Sequence, residues 1–336
     1  MKNKVLITGA SGFVGSFLVE EALQKGWEVY AGIRKSSNKQ FLQHPQIHFF
    51  ELNFSSATLL TEQFTAFKKE QGSFDYVIHN AGITQADKKE DFFTVNCNYT
   101  KNLLHALKDA DMQIKKFVFI SSLAAYGPGN AETFAPIELG HQQLPISAYG
   151  KSKLNAEEFI RLVDIFPFLI INPTAVYGPR DKDFLQFVKL INKGFEPYIG
   201  SHKQMVSMIY VKDLTKAVIG LAASSAVNVS YIVSDGVDYK KESIGENIKQ
   251  ILKKRTLSIK IPLLLMQILV AFTEKLHLFF LNKLPFLSTD KLNEISSANW
   301  LCDSTALWKD LHTTPGYSLK EGLQETIQWY IENKWL

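Results

Sequence analysis

Tyr149 and Lys153 stand four residues apart in the stretch Ser147-Ala-Tyr-Gly-Lys-Ser-Lys153. On a helix that spacing stacks both side chains on one face. A free tyrosine titrates near ~10 and is a poor proton donor or acceptor at neutral pH. A cation held against the phenol stabilises the phenolate and lowers that value, which makes tyrosine a usable general acid/base. Tyr330 and Lys334 repeat the spacing near the C-terminus, so one of the two pairs is accidental. What distinguishes the first pair is its company.

Thr8-Gly-Ala-Ser-Gly-Phe-Val-Gly15 follows the apolar run Val5-Leu6-Ile7 and precedes a helical pattern, Val14, Phe17, Leu18 and Ala22. A glycine-rich turn between strand and helix lets backbone N–H groups approach a pyrophosphate, which the helix N-terminus then holds. Gly9, Gly12 and Gly15 are spaced GxxGxxG, one residue wider at the start than the commonest dinucleotide fingerprint. Ser121 and Ser122 follow a second apolar run, Lys116–Ile120, and so fall at the carboxyl end of a strand, where open α/β sheets bind ligands. A serine there either hydrogen-bonds a substrate oxygen beside the tyrosine or simply ends the strand.

The elements that must position these groups alternate through the first half. The pattern predicts strands at Val5–Thr8, Glu28–Ile33, Ile47–Phe50, Tyr76–His79, Lys116–Ile120 and Phe168–Asn172, with helices at Phe13–Lys25, Ala57–Gln71, Phe92–Asp109 and Tyr149–Val163. Such alternation means an α/β fold, a doubly wound parallel sheet covered on both faces. Further elements rejoin the sheet near Ile209–Ala223 and Tyr231–Val233, and the chain beyond Tyr239 reads as mostly helical. The expected organisation is a Rossmann-type dinucleotide-binding domain over 1–180 with returning elements at about 208–235. A smaller substrate lobe is formed by 181–207 and 236–336.

At 336 residues, 46% hydrophobic and 21% charged, the composition is that of a globular protein with a large core. A formal charge of +4 and short runs such as Lys253-Lys-Arg255 argue against nucleic-acid binding. Two cysteines, Cys97 and Cys302, give no disulfide framework, and no metal site is expected. The fold pattern begins at Lys4, which leaves no room for a signal peptide, so the expected compartment is the cytoplasm. The apolar stretch Ile261–Leu287 is broken by Glu274-Lys275 and is a poor transmembrane candidate. It reads as packed helices of the small lobe, a lid over an apolar substrate, an interfacial helix or a homodimer contact.

Taken together, Thr8–Gly15, His79-Asn-Ala-Gly82, Val95–Leu103, Ile120–Gly127, Tyr149–Lys153, Asn172–Pro179 and Ile209–Leu214 resemble the extended short-chain dehydrogenase/reductase superfamily, its NAD(P)-dependent epimerase/dehydratase group. The resemblance runs from Val5 to about Trp329. It implies Ser122 as the substrate-orienting residue, Tyr149 as acid/base, and Lys153 as the residue that bonds the nicotinamide ribose and tunes the tyrosine. It places Glu51 and Leu52 near adenine and Asn80, Ala81 and Gly82 near the ribose and pyrophosphate. Asn96 becomes a supporting residue, a structural helix asparagine being the rival reading. Asn172 and Pro173 occupy the slot of the family's Asn-Pro or Arg-Pro pair. With Ser11, Gly12, Phe13 and Val14 of the turn, and Ser121, these complete the expected cofactor set.

The second strand ends in Ile33-Arg34-Lys35, where NAD-binding versions usually carry an acid for the ribose 2′-hydroxyl. Arg34 and Lys35 suit a 2′-phosphate instead, so NADP(H) is expected over NAD(H). The sugar-nucleotide enzymes of the family carry diphosphate-clamping arginines where this chain has Val206 and, near Trp300, Lys291 and Leu292. The lysine often kept by epimerases is Thr84, and the dehydratases' acid pair is Leu123-Ala124. The expected function is therefore hydride transfer between a nicotinamide and a secondary alcohol or carbonyl substrate. A nucleotide-sugar epimerase with tightly retained cofactor is the alternative within the family, and a non-catalytic redox sensor the alternative outside it. The tail also resembles that of bacterial relatives of 3β-hydroxysteroid dehydrogenases.

Overall fold

The computed structural model describes residues 2–200, 203–281, 285 and 287–336. Six strands and five α-helices form in the first half: β1 (Lys4–Thr8), α1 (Phe13–Gln24), β2 (Glu28–Ile33), β3 (Ile47–Glu51), α2 (Ala57–Gln71), β4 (Tyr76–His79), α3 (Lys89–Phe92), α4 (Tyr99–Asp109), β5 (Lys116–Ile120), α5 (Ala148–Val163) and β6 (Phe168–Pro173). With Val229–Val233 the strands make one seven-stranded parallel sheet, ordered Val229–Val233, β6, β5, β4, β1, β2, β3. The order reverses between β1 and β4, whose carboxyl ends therefore border the ligand crevice of a Rossmann-type sheet.

Both sheet faces are covered, which is why the strands read as unbroken apolar runs rather than alternating ones. Val5 and Ile7 point to a core shared with Leu18 and Val19 of α1 and with Leu214 and Val218 of the helix Val211–Ala223. Leu6 points to the opposite core, against Phe64 of α2, Leu103 and Leu107 of α4, and Ile160 of α5. Each such fully buried side chain contributes roughly 1.5–3 kcal/mol. Local capping sets the helix starts: the Ser56 hydroxyl accepts from Leu59 N–H at 3.2 Å and Ser147 from Gly150 N–H at 3.0 Å.

One expected helix is divided. Phe92–Asp109 forms the end of α3, a π-helical turn over Phe93–Asn98, and α4. In the π turn Tyr99 N–H bonds the Thr94 carbonyl five residues back. Beyond Tyr239 the chain is mainly helical, with helices at Lys241–Leu252, Leu263–Leu281, Thr289–Ser296, Thr305–Asp310 and Leu319–Glu332. A strand not expected from the sequence, Leu257–Ile261, pairs in parallel with Phe195–Ile199. Of the apolar stretch 261–287, residues 282–284 and 286 lie outside the described residues.

Candidate active site

The β1–α1 turn is tight enough to need glycine. Gly9 adopts φ +65°, and a Cβ there would lie 2.8 Å from the Ala81 backbone. A Cβ on Gly15 would lie 2.0 Å from the Gly9 carbonyl oxygen, inside any tolerable contact. The chain thus passes close to the β4 loop, and Gly12 caps α1 with no side chain competing for its N–H groups. Ser11, Phe13 and Val14 are half-buried beside it, and Gly12 itself is exposed. Arg34 and Lys35 follow β2 and are exposed, whereas Leu52 is buried and its Cδ1 would meet a Cβ on Gly32 at 3.1 Å. Glu51 is exposed at the end of β3. A cradle that no Cβ can enter, at a helix N-terminus with two free-standing cations at the neighbouring strand end, fits a dinucleotide phosphate chain.

Behind the cradle runs a buried hydrogen-bond chain. Ala81 N–H donates to Thr8 Oγ1 at 3.1 Å, Thr8 Oγ1 contacts His79 Nδ1 at 2.7 Å, and His79 Nε2 contacts Thr100 Oγ1 at 3.0 Å. Thr100 donates in turn to the Asn96 carbonyl at 2.8 Å, which leaves its oxygen to accept from His79 Nε2–H and assigns the tautomer. Burial, reinforced by Lys153, holds the His79 pKa down at about 3, so this histidine is a neutral strut and no proton carrier at physiological pH. The Asn96 side chain accepts from Ile83 N–H at 2.8 Å and donates to the Ile83 carbonyl at 3.1 Å and to Ser152 Oγ at 3.0 Å. It therefore ties the β4 loop to α5 at Ser152, between Tyr149 and Lys153. Asn80 reaches back to the Gly9 carbonyl at 3.5 Å, and Gly82 admits Lys153 Nζ to within 3.2 Å of where a Cβ would sit.

Tyr149 lies in the first turn of α5 and Lys153 one turn on, as their spacing predicts. Tyr330 and Lys334 share no helix face, because the helix Leu319–Glu332 ends before Lys334, and the Tyr330 hydroxyl is buried against the Asp181 carbonyl at 2.7 Å. Lys153 is not among the groups that shift the Tyr149 phenol in this structure. The Tyr149 pKa is pushed up to about 12 by burial and by Glu294, with hydrogen bonding from Ser122 drawing it back. Lys153 directs its ammonium to the Ile120 carbonyl at 2.9 Å, over the Phe119 ring. Burial lowers its own pKa to about 8, opposed by Glu157. The phenol is therefore held as a protonated acid at neutral pH, with Ser122 favouring its ionised form.

Glu157, unmentioned by the sequence reading, organises this region. Fully buried one turn beyond Lys153, it accepts from Ser121 Oγ, from Asn172 Nδ2 at 2.6 Å, from Arg161 at 2.9 Å and from Gln143 at 2.9 Å. Asn172 also donates to the Ser122 carbonyl at 3.2 Å, and its Oδ1 is buried without a partner. Ser121 and Asn172 thus face inward to Glu157, while Pro173 ends β6 alongside Val233. Continuing the four-residue step from Tyr149 through Lys153 would have reached Glu157. Arg180, read as a cation near the site or a solvated loop residue, is neither: it stacks on Phe17 and Phe41 and pairs with Glu20 at 2.6 Å.

Tyr149 opens onto a cavity of about 570 Å³. Ile83, Phe92, Val95 and Tyr99 supply apolar wall, and Pro285, Ser288, Asp290, Lys291 and Glu294 close the other side. Two of these acids dock on the start of α5: Asp290 accepts from Ala148 N–H at 2.9 Å and Glu294 from Ser147 Oγ. Sequence periodicity gives no hint of this wall, since it depends on a contact across more than a hundred residues.

The turn, the strand-end serine and the tyrosine–lysine helix match a known family model: residues 5–233 fit the NAD dependent epimerase/dehydratase family. The chain belongs to that family. It is 29% identical to UDP-glucose 4-epimerase of Vibrio cholerae over 78% of this chain and 80% of that one. It is 25% identical to ceramide reductase of Caulobacter vibrioides over 99% of this chain and 96% of that one. A crystal structure of UDP-glucose 4-epimerase with UDP-glucose from Thermotoga maritima superimposes with a TM-score of 0.79 at 20% identity, covering 98% of this chain and 99% of that chain. In this epimerase/dehydratase-family enzyme Val206 sits in a short strand pairing with Tyr239, and Leu292 is buried under the helix Leu263–Leu281. Lys291 lines the cavity.

Proposed function

We propose that the protein is an NADP(H)-dependent oxidoreductase that interconverts a carbonyl compound and the corresponding secondary alcohol. The observation that carries this reading is the Tyr149 phenol opening onto a cavity lined by Asp87, Asp91, Glu294 and Asp290, the last paired with Lys89 at 3.1 Å, against the single cation Lys291 among its described lining residues. Such a wall opposes a diphosphate, and no arginine lines it to clamp one. A neutral carbonyl substrate meets no such repulsion.

The glycine turn with Arg34 and Lys35 would hold the dinucleotide, which supplies hydride when bound. Ser122 orients the carbonyl oxygen, and Tyr149 gives that oxygen its proton. Glu157 fixes Ser121 and Asn172 behind the strand end, and the Ile120 carbonyl fixes Lys153 beside Gly82. A phenol with a pKa of about 12 is the acid at neutral pH, the form that donates a proton in the reductive direction. The test is NADPH oxidation against a panel of aldehydes, ketones, steroids and nucleotide sugars, with mass spectrometry of the small molecules that co-purify.

The likeness to the Vibrio cholerae enzyme favours a second reading, sugar-nucleotide epimerisation. Cofactor retained through purification with no net NADPH consumption would select it. A non-catalytic sensor has less support, since a binding module has no need of the Ser122–Tyr149 pair or of a cavity beside it.

A further inference from the structure

From Leu263 to Phe272 the helix Leu263–Leu281 is apolar but for Gln267, yet only one side of that part is covered. Met266 and Val270 pack against Leu292, with Ile199, Ile261, Leu263 and Ile295 around them. The other side presents Leu264 (69% exposed), Leu265, Ile268 (60%), Leu269 and Phe272 (61%), positions that recur at helical spacing. A second exposed apolar area lies on the two-stranded sheet whose Ile199 and Ile261 pack against the covered side of the helix. Leu257 and Phe195 are register partners, as are Ile259 and Pro197, so these side chains share a face. Leu257, Ile259 and Phe195 are all exposed, whereas Ser258, on the opposite face, bonds Glu196 at 2.8 Å. Soluble surfaces rarely leave so continuous an apolar area bare.

Charge selects the occupant. Between Lys253 and Leu281 the cations are Lys253, Lys254, Arg255, Lys260 and Lys275, all exposed, and the one acid is Glu274. That acid is consumed internally, accepting from Thr289 N–H at 2.8 Å and from Thr289 Oγ1 at 2.6 Å. The apolar face is therefore flanked by uncompensated positive charge. Isologous pairing with a second copy would bring this cationic segment against itself. An anionic lipid surface takes both features at once: acyl chains accept the leucines, and headgroups accept the lysines. No helix among the described residues is long and apolar enough to cross a membrane, so the contact lies in the interface plane.

We propose that this face, Leu264 to Phe272 with the Leu257–Ile259 strand, seats the enzyme peripherally on an anionic bilayer. The same helix leads through Pro285 to Asp290 and Glu294, the wall of the cavity at Tyr149. Seated in this way, the enzyme draws its substrate from the bilayer, as a carbonyl-bearing amphiphile. That last step rests on the oxidoreductase reading, whereas the seating itself does not.

The test is co-sedimentation of the full chain with phosphatidylcholine vesicles containing or lacking about a third phosphatidylglycerol, at low and high salt. The expected result is binding that requires the anionic lipid and falls at least about tenfold in high salt or in a Lys253→Glu/Lys254→Glu variant. The triple variant Leu264→Ser/Ile268→Ser/Phe272→Ser should lose binding while its thermal midpoint and NADPH affinity stay unchanged, which separates loss of the surface from loss of the fold. A wild-type chain that ignores anionic vesicles overturns the proposal. So does a chain that is dimeric in solution and is made monomeric by the triple variant, since a second copy would then cover the face. Vesicle binding that persists without NADPH turnover of any carbonyl would uphold the seating and count against the oxidoreductase reading alone.

Discussion

Glu157→Gln isolates the group that holds the strand-end side chains in place. In the native site Oε1 accepts from Ser121 and Asn172, and Oε2 accepts from Arg161 and Gln143. Glutamine keeps the shape, but its amide nitrogen must face two of these four donors whichever way it turns. A hydrogen bond to a charged acceptor contributes about 1.5–3 kcal/mol. Ser121 can rotate to accept, and Arg161, about a third exposed, can turn to solvent, so the expected loss is roughly 2–4 kcal/mol. The lost charge also acts on Lys153. Its pKa, lowered to about 8 by burial, is supported by Glu157 and falls further without it. A fall of about one unit would leave roughly a tenth of Lys153 protonated at pH 8, against half in the native enzyme. Urea denaturation reads the first effect. The pH profile of NADPH oxidation reads the second, with turnover falling several-fold more at pH 8 than at pH 6. Unchanged unfolding and a superimposable pH profile would refute the reasoning.

Further outcomes follow from the same geometry. Tyr149→Phe should retain NADPH affinity within about twofold and lose turnover by roughly a thousandfold, read by titration and steady-state kinetics; near-normal turnover rejects the acid role. Arg34→Ala should weaken NADPH at least about tenfold and leave NADH nearly untouched; tighter NADH than NADPH binding in the native chain removes the 2′-phosphate assignment. Gly15→Ala drives a Cβ against the Gly9 carbonyl, so cofactor affinity should fall by about tenfold or more in a chain that still folds. His79 binds its proton at about pH 3 when folded and near ~6.5 when unfolded. The unfolded state binds more protons between those values, so stability rises with pH across that window, and this contribution is lost as the pH falls through it to about 3. His79→Gln should flatten that slope in acid titrations of unfolding.

The sheet was legible because its central strands are buried on both faces. Unbroken runs such as Val5-Leu6-Ile7 and Phe117-Val-Phe-Ile120 mark strands that solvent never touches, and β2, β4 and β5 form with the bounds expected. The Tyr149–Lys153 pair was legible because its spacing is a property of one helix. What one helix cannot encode was not legible. The direction of the Lys153 ammonium depends on the Ile120 carbonyl of a neighbouring strand, and the acidity of Tyr149 on Glu294 from a helix far along the chain. The split of Phe92–Asp109 escaped periodicity because a π turn preserves apolar character while changing its angle.

That turn decouples two surfaces. One surplus residue between Phe93 and Asn98 sets Phe92 and Val95 toward the substrate space, while Leu103, Leu104 and Leu107 keep their places under the sheet. A single deletion there would swing the upstream wall by about 100° and leave the downstream leucines seated. The same deletion would displace Asn96 and Cys97, so the substrate wall can be re-aimed there only by loosening the tie between the β4 loop and α5.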